Sequence, residues 1–216
     1  MSFASNPIQL IAVLFVLSLL PLIAILGSSF LKISIVLSML RNALGIQQIP
    51  PNIAIYGLSL ILTAFIMAPI GMAISDNLKQ VQISADAPDF YQQVDQNVLK
   101  PYRGFLARHA KPEQVKFFSD IGKKMWPEEY RSRIPDDSLV VLMPAFAVGQ
   151  LIESFKIGLL LYLPFIAIDL IVSNVLLAMG MMMMSPMTIA LPLKLLVFVL
   201  VGGWERLLAQ LLASYS

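Results

Sequence analysis

Few residues in this chain can do chemistry. His109 is the single histidine, and cysteine is absent from all 216 residues, which excludes disulfides, thiolate metal sites, cysteine nucleophiles and His-pair metal sites within one chain. No Gly-rich phosphate-binding loop, Gly-x-Ser-x-Gly elbow or His-Glu-x-x-His helix occurs, so neither nucleotide hydrolysis nor the common hydrolase mechanisms are expected. No metal or cofactor is implied. Two features remain: Asp169, a carboxylate in an otherwise apolar run, and the unbroken series Met181, Met182, Met183 and Met184 between Gly180 and Pro186.

A carboxylate at membrane depth costs about 2.5 to 3.5 kcal/mol on insertion scales, so Asp169 must face water or a partner. Glu153 and Lys156 are three apart and can pair with each other. Lys156, thirteen positions from Asp169, lies about 20 Å away on a continuous helix. The partner of Asp169 must then come from another segment or another subunit, and Lys32 and Arg41 have the right sign. A proton-relay role would call for a second buried acid or histidine beside it, and none accompanies it. The four methionines would surround a helix, because successive helical residues point about 100° apart, so a loop suits them better. Their flexible, polarizable thioethers can fill irregular core space, or can converge on a symmetry axis and close a hole that yields to varied passengers.

The elements that must position these residues follow from composition. The chain is 58% hydrophobic and 13% charged, with mean hydropathy +0.79, far from the balance of a water-soluble domain. A net charge of +2 leaves no nucleic-acid footprint. Twenty of the twenty-eight charged side chains lie between Asp76 and Asp137, ten of each sign, and long uncharged runs flank them on both sides. The division is therefore residues 1–75, an apolar helical hairpin; 76–138, a polar helical insert; and 139–216, a second apolar hairpin. The fold class is all-α, membrane-associated and oligomeric.

Four apolar helices are expected near 8–30, 53–75, 151–180 and 187–213, each of span length, since about 20 apolar residues cross the hydrocarbon. Gly45 and Pro50-Pro51 break the first hairpin, Gly180 and Pro186 the second. Met1 to Asn6 carries no Lys or Arg, unlike a secretory signal, so the N-terminal segment is expected to be retained. Lys32 and Arg41 at the first turn place that turn in the cytoplasm and the insert outside, with Lys156 as the one violation. Within the insert, Phe90, Val94 and Val98 recur at helical spacing, as do Val115, Phe118 and Met125 after Pro112, while Trp126-Pro127 and the Arg133 to Asp137 stretch end the layer. Pro21, Pro69, Pro164 and Pro192 interrupt the apolar runs, so protein neighbours should satisfy the freed carbonyls.

The run Phe30-Leu-Lys-Ile-Ser-Ile-Val-Leu-Ser-Met-Leu-Arg41-Asn-Ala-Leu-Gly45, with Gln47-Gln48-Ile-Pro50-Pro51-Asn52, resembles the first signature of the SctR/FliP family of type III secretion export-apparatus proteins. Phe155-Lys-Ile-Gly158 through Tyr162, Pro164 and Asp169 to Asn174 and Gly180 resembles the second. The likeness covers essentially the whole chain, and the methionine turn is more similar to the injectisome branch than to the flagellar one. Where family members often carry Asp-Gly-Trp, this chain has Gly202-Gly203-Trp204, so no role is given to a charge there. The resemblance implies a non-enzymatic subunit of the bacterial inner membrane, with its insert on the periplasmic side. It implies five copies in a ring with two other small export-apparatus subunits, contacts with export-gate and switch proteins and with lipid, and a portal for unfolded substrate proteins. Met181, Met182, Met183 and Met184 would be its gasket, and Asp169, Lys156, Glu153, Lys32 and Arg41 its buried charges for pairing between subunits. A purely structural scaffold differs only in whether those methionines line the passage. A secondary transporter would need a cluster of polar groups that the apolar runs lack.

Overall fold

The computed structural model describes residues 7–46, 49–80, 97–131, 134–181 and 183–216. Met1 to Asn6, Gln47, Gln48, Phe90, Val94, Arg133 and Met182 fall outside them. All the regular elements described are helices: α1 (Pro7–Leu26), α2 (Phe30–Ala43), α3 (Asn52–Gln80), α4 (Lys100–His109), α5 (Pro112–Met125), α6 (Glu128–Arg131), α7 (Leu139–Ala178), α8 (Pro186–Leu200) and α9 (Gly203–Ala213).

Three of the four expected apolar helices have different bounds. The first ends at Leu26, and a further helix, α2, follows it over a stretch where none was expected, the chain turning by 59° between Leu17–Leu26 and Phe30–Ala43. Gly27, Ser28 and Ser29 at the bend are all buried, and the cause lies far away in the chain. The Tyr102 hydroxyl of α4 donates to the Gly27 carbonyl at 2.9 Å and occupies the space that any Cβ at position 27 would need. Burial pushes the Tyr102 phenol up to about 12, so it remains a donor. The last expected helix is two, bent by 62° at Gly202, whose φ of 65° is a left-handed conformation that glycine adopts without a Cβ penalty. The third begins at Leu139 rather than 151 and runs for 40 residues.

That length is informative, since 40 residues rise about 60 Å, twice the roughly 30 Å of hydrocarbon in a bilayer. The two halves of α7 must meet different surroundings. Its N-terminal part buries Leu142, Ala145 and Phe146 against Phe105, Leu106 and Ala110 of the insert. Farther on, it receives α2, whose Ile33, Val36, Leu37 and Leu40 join Phe165 of α7, Phe198 of α8 and Leu207 and Leu211 of α9 in one core. Contact between α2 and α7 is close because Gly158 leaves a notch filled by the Met39 thioether.

The insert is built by local rules. Pro112 opens α5 with Glu113 in its first turn and Lys123 and Lys124 in its last, matching the helix dipole at both ends. Trp126 ends it in an extended conformation. Val115 and Phe118 face the core made with α7. Met125, expected on that same face, is the last residue of α5 and is exposed.

Asn52–Lys79 and Leu139–Ala178 are long and apolar enough to cross a membrane, and the two bent pairs bring the number to four if each forms one broken span. Their outer faces, including Ile53, Leu60, Ile61 and Phe65 on α3 and Leu159, Leu160, Leu163 and Ile166 on α7, are exposed. A water-soluble monomer seldom exposes so continuous an apolar surface. The notch at Gly158 and open Gly71 make a matched test. Gly158→Leu should lower stability by about 1 to 3 kcal/mol through overpacking against Met39. Gly71→Ala, where nothing lies within 4 Å, should be neutral or gain about 0.5 to 1 kcal/mol from helix propensity. Thermal unfolding of the detergent-solubilised chain reads both.

Candidate functional site: a methionine turn on a latched hairpin

Helices α7 and α8 are the arms of a hairpin whose tip is the methionine turn. Gly180, at φ 74°, reverses the chain after α7. Its N–H donates to Leu177 O at 3.0 Å, and the Met181 N–H donates to Leu176 O at 2.9 Å. These two bonds form a Schellman cap that satisfies carbonyls at the helix end. Met184 N–H then donates to Met181 O at 3.2 Å, and Pro186 starts α8, where its missing N–H costs nothing. The backbone thus holds the turn by itself. Met181, Met183 and Met184 project into the open, with Met179 and Met187 exposed beside them.

Between tip and core, Val172 and Leu176 of α7 pack on Ala190 of α8. Below this contact Lys194 donates to Asp169 Oδ2 at 2.7 Å and to the Ala43 carbonyl at 3.2 Å. The same ammonium therefore latches the two arms together and sits at the C-terminal end of α2, where the helix dipole favours a cation. Gly45, at φ 79°, ends the adjacent turn and leaves room beside the Lys194 ammonium. Neither Lys32 nor Arg41, the candidates that sign alone offered, meets Asp169 within the chain. Its partner is twenty-five residues onward in the next helix, brought into register by the turn.

The other expected charges have separate duties. Arg41 Nη1 donates to Pro50 O at 3.2 Å and Asn52 Oδ1 at 2.6 Å, closing the turn between α2 and α3. Glu153 pairs with Lys111 of the insert, not with Lys156, and Lys156 is exposed on the single chain. Lys32 is buried, only 4% exposed. It donates to Ser214 Oγ at 3.0 Å and lies 4.6 Å from the centre of the Tyr215 ring, so its charge is met within its own chain.

Tyr215 is a junction that the sequence did not announce. Its hydroxyl donates to Gln150 Oε1 at 2.6 Å, and Gln150 Nε2 donates in turn to the His109 carbonyl at 3.2 Å. Its ring packs 5.2 Å from that of His109 and 6.1 Å from Phe105. Four separate segments meet there: α2, the α4 end of the insert, α7 and the chain after α9. Burial, and then the cations Arg108 and Lys32, hold His109 below its ordinary value. In the insert, the Ser119 hydroxyl, which donates to Asp136 at 2.5 Å, and Lys123 at 3.3 Å hold the Asp136 carboxyl below the usual carboxylate range.

Lys194, Gln150 and Tyr215 are the residues that sequence reasoning missed. The usable signal for Lys194 was symmetry about the Gly180 turn, since Asp169 and Lys194 stand at comparable distances on either side. Among the described residues no group of three or more His, Cys, Asp or Glu side chains is placed to hold a metal.

Helices able to span a membrane, with α7 and α8 folded as a hairpin, define an all-helical class of chain whose distinguishing surface is an exposed methionine turn. The FliP family matches residues 13–211, and the chain belongs to that family. Similar proteins include virulence protein YscR of Salmonella typhimurium, 54% identical over 216 residues with all of both chains covered. Yop proteins translocation protein R of Yersinia pestis is 52% identical over 211 residues, covering 98% of this chain and 97% of its own. Harpin secretion protein HrcR of Erwinia amylovora is 43% identical over 210 residues, 97% of each chain.

Two predictions follow from the geometry. Lys194 is 7% exposed but Asp169 is 45% exposed, so a stranded aspartate can rehydrate while a stranded lysine cannot. Asp169→Asn should therefore destabilise more than Lys194→Met, up to about 3 kcal/mol, and the double variant should recover part of the loss; denaturant titration ranks them. Because the His109 pKa is depressed on folding, the folded chain binds fewer protons than the unfolded one. Stability is then full above about pH 6.5 and is lost as pH falls toward the folded value. His109→Gln should flatten that acid-side slope in a series of melting curves.

Proposed function

We propose that this chain is a wall subunit of a type III protein-secretion portal in a bacterial inner membrane, and that it makes and breaks no covalent bond. Several copies, five by the family resemblance, stand side by side with the other small export-apparatus subunits. Their methionine turns converge on a central passage for unfolded protein. The insert, residues 76–138, lies on the periplasmic side. Export-gate and switch proteins meet the assembly from the cytoplasm, and lipid covers whichever apolar faces protein does not.

The observation that carries this reading is the methionine turn itself. Its backbone is fixed by the Gly180 cap, while Met181, Met183 and Met184 are exposed and hold no core together. A residue that is merely core filler is buried; here thioethers are displayed at a hairpin tip. Weakly polar, adaptable side chains can seal a hole and still slide over any passing sequence. Whole-length similarity to proteins named for virulence, Yop translocation and harpin secretion supports the export setting. The continuous apolar faces of α3 and α7 support a many-subunit wall.

Replacing Met181, Met182, Met183 and Met184 together by glycine tests the gasket. The expected outcome is a severalfold rise in small-solute leak across membranes of cells carrying the full apparatus, with the assembled complex unchanged in size. A tight membrane with intact assembly would instead make the turn part of a scaffold that does not line the passage.

A further inference from the structure

Six of the chain's twelve methionines lie between positions 179 and 187, and the chain has no cysteine. Thioether oxidation follows exposure and has no thiolate to compete with it here. Met183 is fully exposed, and Met179, Met181, Met184 and Met187 range from 40% to 66%, whereas Met39, Met67 and Met143 are partly covered by packing. The turn is also held by main-chain hydrogen bonds from Gly180, Met181 and Met184, so chemistry on its sulfurs leaves the hairpin standing.

We propose that the methionine turn is a modification site for hydrogen peroxide, and that sulfoxidation of its exposed thioethers converts an apolar seal into a wet, leaky one. The second half of this inference rests on the gasket role proposed above; the first does not. In each step a sulfur lone pair attacks one peroxide oxygen, the O–O bond breaks and an S–O bond forms. The proton on the transferred oxygen passes to the leaving hydroxide, and water departs. Sulfur loses two electrons and the peroxide gains them. The product carries a strongly dipolar oxygen on a formerly apolar side chain. Several such dipoles around a narrow opening bind water, and a constriction that seals by dewetting no longer does so.

The protein itself also supplies internal references. Met72 and Met125 are exposed singly, on α3 and at the end of α5, so they report general oxidant access, while Met39, Met67 and Met143 report the packed interior. The experiment treats membranes containing the full-length chain in its assembly with graded hydrogen peroxide, maps one-oxygen mass gains by peptide mass spectrometry, and follows small-solute leak in the same samples. The expected result is oxidation of Met181, Met183 and Met184 at least about tenfold faster than Met39 and Met143, with exposure setting the order. Leak should rise in step and fall again on treatment with methionine sulfoxide reductases. A variant with leucine at 181 to 184, whatever its starting leak, should show no peroxide-dependent rise. Equal oxidation of turn and packed methionines would overturn the modification site while leaving the gasket to be judged by the glycine variant. Selective oxidation with unchanged leak would overturn the opening step, and a tight glycine variant alongside it would show that the gasket had failed as well.

Discussion

Helix α2 must stay dry on most of its circumference, and the other apolar elements are arranged to keep it so. Its fully buried Ile33, Val36 and Leu40 each contribute about 1.5 to 3 kcal/mol through removal from water. That contribution requires α7 on one side, α3 on another, and the paired helices α8 and α9 across the end. Gly158 lets α7 approach closely enough. Gly202 bends α8 into α9 so that Leu207 and Leu211 reach the same core as Phe198. The cost of the arrangement is the burial of two lysines at opposite ends of α2, and each is answered by a specific acceptor set, Ser214 with the Tyr215 ring at one end, Asp169 with the Ala43 carbonyl at the other.

Hydropathy made the helices legible, but not their breaks. Apolar runs announce a helix near 53–75 and the starts of those at 7 and 186 closely enough, and Pro112 and Gly180 mark ends because each has a local mechanism. The bend at 27–29 has none: Gly-Ser-Ser in an apolar run reads as tolerated small residues, and only the arrival of Tyr102 from α4 fixes their conformation. Gly202-Gly203 was visible, yet a sequence carries no sign of φ. The early start of α7 has no local sign either: Pro144 lies inside the helix, and the packing that holds its first turns comes from Phe105 and Leu106, more than thirty residues earlier.

The methionine turn was legible because its composition is so biased, whereas the latch was not, because pairing across a hairpin depends on where the turn falls. Lys32, Arg41 and Glu153 stood out in the sequence as charges needing an answer. Which group answers each one is a matter of tertiary geometry. Charge sign alone could not choose a partner for Asp169, since helical spacing ranks neighbours within an element and is silent about the element facing it.

The junction at Tyr215 has a consequence for synthesis. Lys32 finds Ser214 across 182 positions of chain, and His109 and Gln150 likewise await Tyr215. A ribosome working from the N-terminus releases the lysine long before its acceptor exists. Until then that ammonium must stay hydrated or borrow another acceptor, so α2 can lodge fully in its groove only once the final helix has been translated. The nascent chain thus carries a built-in delay between insertion of its first hairpin and closure of the bundle.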